Sequence, residues 1–374
     1  MVLRAWATDR LAPVEQVTAA LAAVTADPAD VSDEQWVALL GADGTALEHL
    51  CALADTARRR VTDPDTLTFV VNRNLDTAVA ATLPTRGPSL EDLVLEAVDG
   101  GATEICMQGP LPEDAPADGY LRLIERITAA APVHLHALRP PEIRDGARRM
   151  GIGIDDFLHS ARDAGLGSVP GTAAQILDDE VRAALAPPGV PSAVIEWTEV
   201  IEAAHQVGLF STATLLYGHL ETPAHQVDHL RLLCDIATRT KGFSELILMP
   251  MVAQNTPAHL RAEAVATAST RETRALHAVA RLMTLGCFDH LQVAWTKLDA
   301  DTVDAVLAGG VDDIGGVLLD GVLLPQAGAE AGRVLDVEAL TGFADRGGRI
   351  LRQRTTAYTD PAPDRLLRLD GAVR

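Results

Sequence analysis

Apolar and polar positions along this chain follow two periods. Short apolar runs recur at 67–71, 103–107, 133–136, 167–169, 210–215, 245–249, 290–293 and 311–314. Runs this short, bounded by glycine and polar residues, predict buried strands. Between them lie stretches whose apolar positions repeat at helical spacing, for example 120–130, 141–150, 155–164, 192–207, 223–239, 270–285 and 300–308. Another helix starts at Ser89, a capping residue, with Asp92 at its positive end. Strands that alternate with helices form a parallel sheet, and eight repeats suit an α/β fold of the closed (β/α)8 TIM-barrel type. Gly100-Gly101, Gly165, Gly208, Gly286 and Gly309-Gly310 stand just before strands, where they suit helix C-terminal caps.

The first 66 residues read differently. Pro13 opens a helix through Ala26, Ser32 and Gln35 make a capping box before a helix ending near Gly41, and a third helix covers 45–60. The pattern divides the chain into an N-terminal helical layer (1–66), a barrel (67–334) and a C-terminal extension (335–374) with one helix.

In such barrels the chemistry sits at the C-terminal ends of the strands. Those positions hold Asn72, Arg73 and Asn74, then Gln108, His134 and His136, Thr172, Tyr217 and His219, Gln254 and Asn255, and Trp295, Thr296 and Lys297. A polar ring above an apolar barrel predicts a pocket for a small molecule. Acid–base work falls to His136, His219 and Lys297, since histidine exchanges protons near neutral pH. Arg73 and Arg139 are expected to hold an anionic group.

Charge and cysteine content narrow the classes. The formal charge of −21, from 31 basic and 52 acidic residues, disfavours a phosphate backbone as partner. None of the four cysteines (Cys51, Cys106, Cys234, Cys287) stands in a CxxC pair, so no zinc or cluster motif is present and each is expected in the core. His225 and His229 share a helix face, but no carboxylate-rich set accompanies them, and no metal is expected. Without a long apolar run the chain reads as cytoplasmic, with no membrane partner.

Several segments carry a family resemblance. VNRN followed by GGATEICMQG, HLHALRPPEI, PGTAAQILDDEVR, LLYGHLETPAHQVDHL, QNTP and QRTTAY are similar, in that order, to segments of the radical S-adenosylmethionine (SAM) enzymes of deazaflavin and menaquinone biosynthesis. The FO-synthase type, which joins a tyrosine-derived fragment to a ribityl-diaminouracil, is the nearest likeness, with the aminofutalosine type beside it. The resemblance implies a barrel, a pocket at the strand ends, and a C-terminal segment packed back on the barrel. It also implies a CxxxCxxC loop that holds a [4Fe–4S] cluster on three thiolates, with the fourth iron open to SAM.

The segment 75–88, where that loop is expected, has no cysteine. Relative to the family pattern, Pro110 stands for a glycine and has no N–H to donate, Gln175 for an acidic residue expected to help hold SAM, and Arg139 for a serine. These departures lead to the expectation of no [4Fe–4S] cluster, with SAM binding left open. The function expected on that basis is a repurposed enzyme doing redox-neutral cyclisation, elimination or similar chemistry on a small polar or aromatic metabolite. A non-catalytic partner of a paralogous radical SAM enzyme and a cluster-free, SAM-binding transferase are the alternatives.

Overall fold

The computed structural model describes residues 11–85, 88–187, 193–252, 260, 268–319 and 337–367. Helices α1 (Val14–Ala26), α2 (Asp33–Leu40) and α3 (Gly44–Val61) form the N-terminal layer. The predicted capping box is present: Gln35 N–H donates to Ser32 Oγ, and Ser32 N–H donates to Gln35 Oε1 at 2.9 Å. The layer packs on the side of the barrel, mainly against α12 (Thr270–Met283). There Arg271 donates to the carbonyls of Leu40 and Ala42 at 3.0 and 2.8 Å, at the negative end of α2. Gly310 (φ +106°) lets Ala54 of α3 approach the turn that leads into the last barrel strand; a Cβ there would stand 2.9 Å from the Ala54 methyl.

The barrel strands are β1 (Thr66–Asp76), β2 (Glu104–Gln108), β3 (His134–Ala137), β4 (Ser168–Val169), β5 (Phe210–Tyr217), β6 (Phe243–Pro250), β7 (Leu291–Val293) and β8 (Asp313–Leu318). Each pairs in parallel with the next, and β1 pairs with both β8 and β2, which closes the ring. Outside it run α5 (Leu90–Asp99), α6 (Gly119–Ala130), α7 (Pro140–Met150), α8 (Ile154–Ala164), α10 (Val194–Gln206), α11 (Pro223–Thr240), α12 and α13 (Ala300–Leu307). Each of the eight expected apolar runs thus overlaps a barrel strand. No single described helix is long and apolar enough to cross a membrane.

Three elements are not legible in the pattern: the short helices α4 (Thr77–Thr82) and α9 (Asp179–Leu185), and strand β9 (Ile350–Arg354), which follows α14 (Val337–Arg346). The β9 sequence, ILRQR, does not alternate as a half-buried strand should. It forms because β1 is too long for one neighbour. Residues 72–76 of β1 pair with β2, and residues 66–70 pair with β9. The extension is therefore part of the sheet. A further difference concerns cysteine: Cys234 of α11 and Cys287 beyond α12 form a disulfide, with Cα atoms 5.3 Å apart, because these helices are neighbours around the ring.

The extension also fills the base of the barrel. The Arg354 guanidinium enters it and donates to Asp313 at 2.9 Å and Glu245 at 3.1 Å. The Tyr358 ring lies 3.9 Å beneath that guanidinium and stacks on His290, while its hydroxyl donates to Glu245 at 2.7 Å. Burial pushes the Glu245 carboxyl up to about 7, opposed by the positive charge of Arg354. Two buried carboxylates without their cation would be uncompensated charges, a loss of about 3–5 kcal/mol for a buried pair. Arg354→Ala is therefore expected to lower unfolding free energy by about that much, and Arg352→Ala, an exposed pair with Asp360, by less than about 1 kcal/mol. Urea titration of both variants checks this; equal losses would refute the buried role.

Candidate active site

The C-terminal ends of the strands surround a cavity of about 650 Å³. A second cavity, about 630 Å³, lies outside the ring between α7, α8 and α10 and is bordered by Pro140, Arg144, Ile154 and Trp197. The mouth is the better candidate because side chains from many strands converge there.

Strand alternation decides which residues reach the mouth. On β1, Asn72, Asn74 and Asp76 face inward and line it, as do Cys106 and Gln108 of β2. Across the ring stand Ile247 and Met249 of β6, Gln292 of β7, and Gly316 and Leu318 of β8. Arg139, Thr172, Trp295, Thr296 and Lys297 complete the rim. Of the residues predicted from sequence, Asn72, Asn74, Gln108, Arg139, Thr172, Trp295, Thr296 and Lys297 therefore come together.

The others do not. Arg73 alternates outward: its guanidinium donates to the Leu93 carbonyl at 3.0 Å, the Glu96 carboxylate at 2.8 Å and the Leu319 carbonyl at 3.0 Å. It ties β1 to α5 and holds no ligand. His134 and His136 do not border the cavity, and both bond the Ser168 hydroxyl, at 2.7 and 2.6 Å. Burial holds them neutral, lowering the imidazoles to about 4 and about 3. His219 is fully buried against Glu221, with Nε2 donating to the Leu216 carbonyl at 3.0 Å. Tyr217 points away from the mouth, its hydroxyl donating to Thr273 of α12. Gln175 sits in a left-handed turn (φ +53°) with its carbonyl accepting from Leu216 N–H, off the cavity wall. Gln254 and Asn255 lie outside the described residues. His225 caps α11, and His229 accepts from Leu177 N–H and donates to the Thr214 carbonyl. Neither His136 nor His219, expected to do the acid–base work, borders the mouth cavity.

Arg139 reaches the mouth already paired. Its guanidinium donates to both oxygens of Glu142, at 2.6 and 2.9 Å, and Glu142 also accepts from the Arg139 N–H at 2.8 Å. This pair caps α7 and offsets the charge of the cation expected to hold an anion. The mouth floor is instead made of amides. Thr172 donates to Gln108 Oε1 at 3.1 Å, and Gln108 Nε2 points to Cys106 Sγ at 3.1 Å. Asn72 Nδ2 donates to Glu104 Oε1 and to Asn74 Oδ1, both at 3.4 Å. Asn72 Oδ1, also buried, has no partner among the described residues. A buried carbonyl left that way costs about 1–3 kcal/mol. Gln292 and Asn72 project over Gly315 and Gly316: a Cβ at those positions would stand 2.1 Å from Gln292 Nε2 and 2.3 Å from Asn72 Oδ1. The Trp295 indole donates to the Gly316 carbonyl at 2.9 Å, which fixes a flat apolar face on the wall. Sequence reasoning missed Gln292, Cys106 and Asp76. Gln292 and Cys106 lie inside strands, where only the register reveals an inward polar group.

A closed parallel eight-stranded barrel with a polar mouth at the C-terminal ends of its strands is the (β/α)8 enzyme scaffold. Known proteins agree with this. The structure superposes on the [FeFe]-hydrogenase maturase HydG from Carboxydothermus hydrogenoformans with a TM-score of 0.65, over 92% of this chain and 81% of that one, at 14% identity. Methylornithine synthase (PylB) gives the same score and identity, over 92% of this chain and 98% of its own. At these identities the likeness concerns the fold. No family profile matches the chain. Its sequence is 41% identical to FO synthase of Mycobacterium tuberculosis (strain H37Rv), over 91% of this chain and 42% of that protein. It is 34% identical to 5-amino-6-(D-ribitylamino)uracil–L-tyrosine 4-hydroxyphenyl transferase of Archaeoglobus fulgidus, over 82% of this chain and 92% of that protein. The chain belongs to this family of radical SAM, FO-synthase-like enzymes. It spans about two-fifths of the length of the FO synthases it matches.

These relatives correct the functional expectation. The departures in sequence point to a repurposed redox-neutral enzyme, a non-catalytic partner or a cluster-free SAM transferase. Identity of 34–41% to radical SAM enzymes of the FO-synthase type, sustained along most of the chain, weighs against a cluster-free, repurposed enzyme.

The family implies SAM and a [4Fe–4S] cluster, and the thiols present do not fit the cluster. Segment 75–88 has no cysteine. Cys51 is buried in α3, Cys234 and Cys287 bind each other, and only Cys106 borders the mouth. Burial pushes its thiol up to about 12, away from the thiolate that iron requires. One such thiol does not replace three thiolates.

Burial of neutral imidazoles has a measurable consequence. Loss of solvation lowers His134, His205 and His277 to about 4, and His136 and His229 to about 3. Unfolded histidine titrates near 6.5. Between those limits the unfolded chain binds more protons, so stability is full above about pH 6.5 and falls as pH drops towards 4. Each histidine adds a slope of up to about 1.4 kcal/mol per pH unit in that window. Thermal melts are expected to show Tm falling steeply from pH 7 to 5, with a shallower fall in H134N/H136N. A flat profile would contradict the assignment.

Proposed function

We propose that this chain works in the FO-synthase coupling for which its relatives are named, and that its mouth holds the 5-amino-6-(D-ribitylamino)uracil. The observation that carries this is the neutral, amide-lined floor beside a fixed indole, in a chain matching nearly the whole length of the archaeal transferase. A diaminouracil is flat and uncharged and presents N–H and C=O groups along its edge. Amides meet such an edge, and Trp295 offers a face for its ring. The cavity, about 650 Å³, is in the range for a ligand of this size. Asp76 and Lys297 border the same cavity with opposite charges, which suits the ammonium and carboxylate of an amino acid such as L-tyrosine.

Calorimetry under anaerobic conditions tests the reading. 5-Amino-6-(D-ribitylamino)uracil is expected to bind one site with a Kd of roughly 1 μM to 1 mM, the span usual for enzyme substrates. No heat and no quenching of tryptophan emission at millimolar ligand would refute it.

The cofactor reading rests on the cysteines. With one thiol at the mouth, this chain does not itself ligate a four-iron cluster. Anaerobic reconstitution with iron and sulfide is expected to leave well under one cluster per chain after gel filtration, with no absorbance band near that of [4Fe–4S] proteins. Four tightly held irons per chain would overturn this.

A further inference from the structure

Asn72 stands between two demands. Its Nδ2 faces two acceptors, Glu104 Oε1 and Asn74 Oδ1, while its buried Oδ1 meets no donor among the described residues. An amide has two orientations, and the hydrogen-bond network around it selects one. A carboxylate accepts and does not donate, so Glu104 fixes the amide with nitrogen towards the barrel interior. Glu104 is itself held: its Oε2 accepts from Thr356 of the inserted tail at 2.7 Å. Asn72 lines the mouth cavity, and its oxygen fills the space beside Gly316 that a Cβ would otherwise take.

We propose that Asn72 is a specificity-determining residue for the pyrimidine ring, its oxygen accepting a ring N–H, and that Glu104 is the positioning residue that dictates this polarity. The inference rests on the substrate reading given above. It deepens that reading by saying which edge of the ring is read, and by which atom. A uracil ring carries an imide N–H where a cytosine-type ring carries a bare nitrogen. An acceptor locked in place selects the first and leaves two lone pairs facing each other with the second. The tail thus bears on recognition at the opposite end of the barrel, through Thr356, Glu104 and Asn72 in turn.

The test is anaerobic calorimetry of the full chain with 5-amino-6-(D-ribitylamino)uracil and with its 4-amino, cytosine-type analogue. The wild type is expected to prefer the uracil by tenfold or more. Asn72→Leu, which keeps the volume and removes the amide, is expected to weaken uracil binding at least tenfold and abolish the preference. Glu104→Gln frees Asn72 to turn over, so the preference is expected to shrink while the affinity for the analogue rises. A residue that merely supported the fold would lower both affinities together. Circular dichroism confirms folding, and if Asn72→Leu does not fold, Glu104→Gln decides alone. Unchanged preference in a folded Asn72→Leu or Glu104→Gln variant, with uracil binding intact in the wild type, overturns the inference and leaves the substrate reading standing. No uracil binding to the wild type overturns both.

Discussion

One guanidinium closes the base of this barrel. Arg354 lies between Asp313 at the foot of β8 and Glu245 near the foot of β6, with the Tyr358 ring packed under it. Charges this deep are tolerated only when paired and hydrogen-bonded. The pairing has a topological cost, because Arg354 is carried by β9 and can arrive only if β9 adds to the free lower half of β1. Much else is set by that addition. It brings Thr356 to Glu104, and Glu104 to Asn72, so that the base and the mouth are linked by one run of polar contacts through the ring.

The charges expected to bind substrate are largely spent on the fold. Arg73 sits at a strand end by sequence, but the pleat turns it outward onto α5. Arg139 reaches the mouth and is neutralised there by Glu142 in capping α7. The histidines behave alike: His134 and His136 share Ser168, and His219 is turned onto Leu216 and Glu221. The cavity is lined by the amides of Asn72, Asn74, Gln108 and Gln292, the Trp295 indole, Asp76 and Lys297, and apolar residues such as Ile247, Met249 and Leu318.

Family membership and the cysteine positions bear on different questions. Membership rests on identity spread over most of the chain, which fixes the scaffold and the class of protein. The cysteines decide only what this chain contributes to metal binding.

The sequence by itself determined the eight strands, the order of their helices and the closed parallel barrel. Those follow from local apolar periodicity and capping residues, which act over a few positions and need no partner to be read. It also placed eight of the mouth residues, since strand ends are visible as the points where apolar runs stop. Only the tertiary structure decided β9, the inward turn of Gln292 and Cys106, the outward turn of Arg73 and Tyr217, and the Cys234–Cys287 bond. Each of these depends on pleat, register or a neighbour far away in the chain. A pattern of single residues carries no record of which face a strand presents until the sheet has closed.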